Sequence, residues 1–180
     1  WREAGENLAI SINISAAHLM DRSFVDYLES YLHSHPDLDP AQITLEVLET
    51  TALEDTKRAS NVLTRCRKLG LQVALDDFGT GFSSLTYLRT LPVDIIKLDR
   101  RVMDHLEDDP VQQVMVDALH RIAEAAGKET VATFIESDET LRKVRTLGIH
   151  FGQGYRLSRP RPLAELKPVG VELSTGWIGG

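Results

Sequence analysis

Short β-branched apolar runs alternate along the chain with longer stretches whose apolar positions recur every three or four residues. The runs fall at 8–15, 43–49, 72–78, 94–99, 130–136 and, more weakly, 150–157, and each predicts a strand. Between them, the span 54–69 predicts a helix with Ala59, Val62, Leu63, Cys66 and Leu69 on one face and Gly70 as its stop. The span 110–126 predicts another, with Val111, Val114, Met115, Ala118, Leu119, Ile122 and Ala126 facing inward. Asp109 caps it, Pro110 takes the first helical position and Gly127 closes it. Ser137 opens a shorter helix whose inner face is Leu141, Val144 and Leu147, ended by Gly148. An earlier helix runs from 21 to about 33 with Phe24, Leu28 and Leu32 inside.

Strand–helix alternation with connections this short reads as parallel βα units, of which the chain shows six. A closed barrel of such units has eight strands and typically ~250 residues, with its chemistry at the C-terminal strand ends. The polar residues gather at those ends: Asn13, Glu46, Glu49, Asp76, Asp77, Lys97, Asp99, Glu136 and Gln153. A doubly wound open sheet is the alternative, but it usually carries a Gly-rich phosphate loop after its first strand, and none is visible. The chain therefore reads as the larger part of an α/β barrel over 1–167, with a C-terminal tail over 168–180.

Composition narrows the partners. A length of 180 residues suggests one domain, and 42% hydrophobic with 26% charged residues is ordinary for a globular protein. Twenty basic against 27 acidic residues give a formal charge of −7, which argues against a DNA binder but not against a small phosphorylated ligand held by metal ions. Cys66 stands alone, so no disulfide framework or thiolate cluster is expected. The six histidines include no His-Glu-x-x-His pattern. No apolar run reaches membrane-spanning length and the opening WREAGENLA lacks a signal-peptide pattern, which predicts a cytoplasmic chain with no membrane contact.

Asp76 and Asp77 carry the sharpest chemistry. Adjacent carboxylates at a strand mouth repel each other unless a cation or proton intervenes, so the pair predicts a metal site. Taken singly the others are ambiguous: Asn13 also reads as a turn residue, Glu46 as a solvated strand-end charge, Lys97 as a surface lysine and Gln153 as a loop glutamine.

The stretches SINIS (11–15), LEVLET (45–50), ALDDFGTGFSSLTYLRTLPVDIIKLDR (74–100) and FGQGYRLSRP (151–160) resemble, in order and spacing, the EAL domain, the bacterial cyclic-di-GMP phosphodiesterase module. The resemblance implies a modified (β/α)8 TIM-type barrel with one antiparallel strand, of which the third to eighth strands are visible here. Trp1 would end a helix after the first two strands, and the Glu-Ala-Leu segment, whose Glu is a metal ligand, would be absent. It implies two Mg²⁺ or Mn²⁺ ions held by Asn13, Glu46, Asp76 and Asp77, with Asp76 bridging. Divalent cations make phosphodiester hydrolysis possible by activating water and neutralising phosphate charge. Lys97 would serve that chemistry, Glu49 would steady the loop after Asp77, and 79–84 would move on ligand binding. Gln153, Phe78 and Asp99 would meet the ligand, although Asp99 also reads as a residue that holds the fold.

One stretch departs from the family pattern. Where VAEGVE is usual, the chain has VATFIE, so Thr133 replaces a carboxylate, Phe134 replaces a glycine and Glu136 is kept. A hydroxyl cannot accept a proton as a carboxylate does, and Phe134 would narrow the site. The resemblance thus implies hydrolysis of cyclic-di-GMP to pGpG with weak or absent turnover, or a degenerate binding or protein-interaction module. A remoter reading is an unrelated Mg²⁺-dependent barrel enzyme acting on an enolisable acid. By analogy the partners are cyclic-di-GMP, a second copy in a homodimer, and an upstream regulatory or diguanylate-cyclase-like domain.

Overall fold

The computed structural model describes residues 8–21, 23–79 and 84–162. The expectations for Trp1, for most of the 79–84 loop and for the tail over 168–180 lie outside the described residues. Sequence length suggests one domain, and the chain resolves into two compact units, Trp1–Ile96 and Lys97–Gly180, with the division inside a strand.

In the first unit β1 (Ile10–Asn13), β2 (Ile43–Leu48) and β3 (Gln72–Phe78) lie side by side in chain order, and both pairs are parallel. Helices α1 (Ala16–Met20), α2 (Phe24–Ser34), α3 (Glu49–Glu54), α4 (Thr56–Lys68) and α5 (Ser84–Leu88) connect and follow them. Strand alternation sorts the side chains. Leu45, Val47, Val73 and Leu75 are buried on one face. α4 contacts β3 and buries Ala59, Leu63 and Cys66. Each buried leucine or valine among these contributes about 1.5–3 kcal/mol. The other face carries Asn13, Thr44, Glu46, Gln72, Ala74 and Asp76, linked by a hydrogen bond from Thr44 Oγ1 to Gln72 Oε1 of 3.3 Å. Gly70, with φ +90°, ends α4 as its position predicts. Burial pushes the Cys66 thiol up to about 11, so the lone cysteine is not a nucleophile at neutral pH.

The second unit holds β4 (Ile95–Leu98), which begins in the first, β5 (Glu129–Ala132) and β6 (Phe151–Gly152), again in chain order, with β5 and β6 parallel. Helices α6 (Arg100–Met103), α7 (Pro110–Ala125) and α8 (Asp138–Thr146) complete it. The predicted caps are in place: Asp109 accepts from Val111 N–H, Ser137 accepts from Thr140 N–H, and Gly127 and Gly148 take φ of +71° and +79°.

The expected inner face of α7 is a correction. The helix buries Val116, His120 and Ala123, while Val111, Val114, Met115 and Ile122 are exposed at 75, 69, 43 and 40%. The buried stripe includes a polar residue that an apolar count passes over. His120 Nδ1 lies 2.8 Å from Thr130 Oγ1 in β5, so the imidazole is buried with its hydrogen bond made.

That cluster gives a pH prediction. Thr130 N–H donates to His150 Nδ1 at 3.1 Å, and Glu124 faces His120 Nε2 at 3.5 Å. Burial lowers the His120 pKa below 6.5; the Glu124 and Asp117 carboxylates oppose this, and His150 and Arg121 reinforce it. A depressed folded-state pKa means that the unfolded chain binds more protons. The stability contributed is full above the unfolded value and is lost as pH falls through the folded one. The urea midpoint is therefore expected to drop between pH 7 and pH 5, with a shallower drop in His120→Gln. Equal slopes for the two proteins would remove His120 as the cause.

Candidate functional site

The first unit places three of the predicted ligands on one sheet face. Asn13 and Glu46 are register partners across β1 and β2, and Glu46 is buried while Asn13 is exposed. Glu46 also pairs with Ala74, and Asp76 lies two residues further along β3, hence on the same face. Asp76 is half-buried, and its Oδ1 accepts the N–H of Asp77 at 3.0 Å. Asp77 is exposed and takes φ +57°, the left-handed region, which Asp tolerates better than most residues. β3 thus ends on a turn completed by Gly79 at φ +102°.

Glu49 sits at the start of α3, directly after β2, and is buried. Its Oε2 accepts from Gly79 N–H at 3.3 Å, which ties it to the turn after Asp77. Its Oε1 is buried with no hydrogen-bond partner among the described residues. A buried carboxylate oxygen in that state favours a nearby donor or cation.

Among the described residues, no three His, Cys, Asp or Glu side chains stand close enough to hold an ion. The shared face offers a smaller set of two carboxylates, Glu46 and Asp76, with the Asn13 amide. Hard oxygen donors of this kind fit Mg²⁺ or Mn²⁺ rather than a softer metal. Phe78 is expected to meet the ligand, and the structure places its ring in the core, where it is 1% exposed.

In the second unit the predicted residues follow β4, β5 and β6. Lys97 is buried within β4. Asp99, also buried, caps α6: its Oδ1 accepts from Arg101 N–H and Arg101 Nε, both at 2.8 Å. That oxygen is committed to the helix start. Gln153 follows β6 with an exposed side chain; its N–H donates to Ala132 O at 2.8 Å and its carbonyl accepts from Ile135 N–H at 3.1 Å. Thr133, 8% exposed, donates its hydroxyl to Leu98 O at 2.6 Å. Glu136 is exposed. Arg100, which has no role in the sequence reading, places its guanidinium 5.2 Å from the centre of the Phe134 ring. The only sequence signal for it is its place directly after the Asp99 cap. Two surface concavities of the first unit, one near Arg58 and Arg65 and one near Arg67 and Asp94, include none of these residues.

The EAL domain model matches residues 1–160. The chain belongs to the EAL domain family. It is 38% identical over 155 residues to the cyclic di-GMP phosphodiesterase PdeB of Shewanella oneidensis, covering 86% of this chain and 18% of that protein. It is 35% identical over 162 residues to the cyclic di-GMP phosphodiesterase PdeR of Escherichia coli, covering 90% of this chain and 24% of that one. The EAL chain thus spans about a fifth to a quarter of the length of these relatives. Among solved structures it resembles the PaMucR phosphodiesterase in complex with c-di-GMP, with a TM-score of 0.84 and 32% identity over 93% of this chain and 68% of that one. It also resembles the EAL domain of Mycobacterium smegmatis DcpA, with a TM-score of 0.81 and 33% identity over 89% of this chain and 72% of that one. The α/β fold of this chain is therefore that of EAL structures, as the strand–helix alternation and motifs predict. No helix among the described residues is long and apolar enough to cross a membrane.

Proposed function

We propose that this EAL chain binds cyclic-di-GMP with the help of Mg²⁺ or Mn²⁺ and hydrolyses it to pGpG slowly or not at all. The observation that carries the weak turnover is the Thr133 hydroxyl, which donates to the Leu98 carbonyl in a buried position. A hydroxyl used in that way neither holds negative charge nor takes a proton from water. Asn13, Glu46 and Asp76, with Asp77 beside them, are the residues that would hold the ions. When bound, such ions supply charge neutralisation at phosphate and a more acidic water. The residues of the chain do the rest. Glu49 fixes the turn after Asp77 through Gly79, and Lys97 supplies a buried ammonium that favours phosphate charge. Gln153 offers an exposed amide from a backbone anchored to β5.

The test is calorimetry with cyclic-di-GMP in Mg²⁺ or Mn²⁺, with chromatography for pGpG. Binding with product formation far below that of an active relative is the expected result. Ordinary turnover would show that Thr133 is not limiting, and absence of binding in either metal would leave a protein-interaction role. In the same assay Asp76→Asn is expected to weaken metal-dependent binding by more than the roughly 10–100-fold typical of losing an outer-shell partner. An unchanged affinity would remove Asp76 from the ligand set.

A further inference from the structure

We infer that Phe134, with Arg100 beside it, is a stacking platform for a guanine base of the bound nucleotide, an aromatic contact placed where the family pattern has glycine. This rests on the cyclic-di-GMP reading above. Three observations carry it. Phe134 is 47% exposed, a large apolar ring left in solvent directly after β5. Its φ of +56° lies in the left-handed region, which a glycine enters freely and a bulky residue rarely does. The Arg100 guanidinium lies 5.2 Å from the ring centre, so positive charge accompanies an exposed π surface.

The ring is also held in place. On its N-terminal side Thr133 Oγ1 donates to Leu98 O at 2.6 Å. On its C-terminal side Ile135 N–H donates to Gln153 O at 3.1 Å, and Ile135 O accepts from Arg156 N–H at 2.9 Å. Ile135 itself is fully buried. With both neighbours tied, Phe134 cannot relax its backbone or draw its ring inward. Such a strained, over-determined, exposed aromatic gives the fold little and suits a surface that a planar ligand completes. A rigid π face accepts a base at low ordering cost, and the guanidinium adds attraction for the electron-rich edge of guanine or for its phosphate. An acidic peptide would use the arginine but would have no use for the ring.

The test compares the intact wild-type protein with Phe134→Gly, Phe134→Trp and Arg100→Ala, using calorimetry with cyclic-di-GMP in Mg²⁺ and a cyclic dinucleotide carrying 2-aminopurine. Phe134→Gly is expected to lose roughly 5- to 150-fold in affinity, the range for one base–aromatic stack, without a lower melting temperature. Phe134→Trp is expected to keep wild-type affinity, and Arg100→Ala to lose part of it. Quenching of 2-aminopurine on binding should appear in wild type and vanish in Phe134→Gly. If Phe134→Gly binds as tightly as wild type, or more tightly, the ring obstructs or idles and the inference falls while the nucleotide reading stands. If wild type binds no cyclic-di-GMP, both fall together.

Discussion

Thr133→Glu is expected to raise the rate of pGpG formation by about 10²-fold or more, the scale of one positioned acid–base group. The family pattern has a carboxylate at this position, and the chain has a hydroxyl whose proton is given to Leu98 O at 2.6 Å. Thr133 is 8% exposed, so a glutamate introduced there starts in a partly dehydrated setting where its charge acts strongly on nearby groups. The exchange forfeits the hydrogen bond to Leu98, which costs about 1 kcal/mol of stability. Thr133→Gln separates the two effects, because it has nearly the same shape as the glutamate and cannot take up a proton. Initial rates over a pH series decide the matter. The gain in Thr133→Glu should shrink as pH falls and the carboxylate protonates, whereas Thr133→Gln should stay at the wild-type level. Equal rates for the two variants at every pH would mean that turnover is limited elsewhere in the site.

The sequence carries the fold in its densest patterns and loses it where tertiary partners decide. The run at 72–78 matches β3 residue for residue, because a short apolar stretch bounded by Gly70 and by the Asp77–Gly79 turn has little choice. The last strand is different. The pattern suggests 150–157, yet only Phe151 and Gly152 pair, because Gly154 and Arg156 turn back to meet Ile135. α3 and α6 escape periodicity since each is a short helix starting at the end of a strand. α7 was legible in extent but not in orientation: its inward stripe runs through His120, bonded to Thr130, a residue outside any apolar count.

The site divides in the same way. That Asn13, Glu46 and Asp76 lie near the C-terminal ends of strands was readable; that they share a face depends on register, which only the Asn13–Glu46 and Glu46–Ala74 pairings reveal. The departure at Thr133 and Phe134 was visible as sequence. The hydroxyl's commitment to Leu98 and the left-handed backbone under the ring were not, because both are set by neighbours distant along the chain. Phe78 shows the converse limit. An aromatic beside two candidate carboxylates suggests a ligand contact, and its burial in the core could not be read from the motif.

Gly154→Ala is expected to destabilise the second unit by about 3 kcal/mol or more. A Cβ added at Gly154 would lie 2.3 Å from both Ile135 N and Ile135 O, and 2.7 Å from Ile135 C. All three are backbone atoms, so no side chain can rotate aside to make room. Ile135 cannot retreat either, since it is fully buried. The loop would have to lift, and three hydrogen bonds that hold it would lengthen or break: Gln153 N–H to Ala132 O, Ile135 N–H to Gln153 O and Arg156 N–H to Ile135 O. At about 1 kcal/mol each, those losses alone reach the stated cost. The melting temperature should fall by roughly 10 °C. Gly127→Ala supplies the contrast: a methyl there meets nothing within 4 Å, but φ is +71°, so only backbone conformation is penalised, by about 1–2 kcal/mol. If crowding against Ile135 is the cause, Gly154→Ala melts well below Gly127→Ala and also releases Gln153 and Phe134 from their fixed places, weakening nucleotide binding. If the two alanine variants melt together, the close approach of the Gly154 loop to the Ile135 backbone is not what holds this end of the second unit.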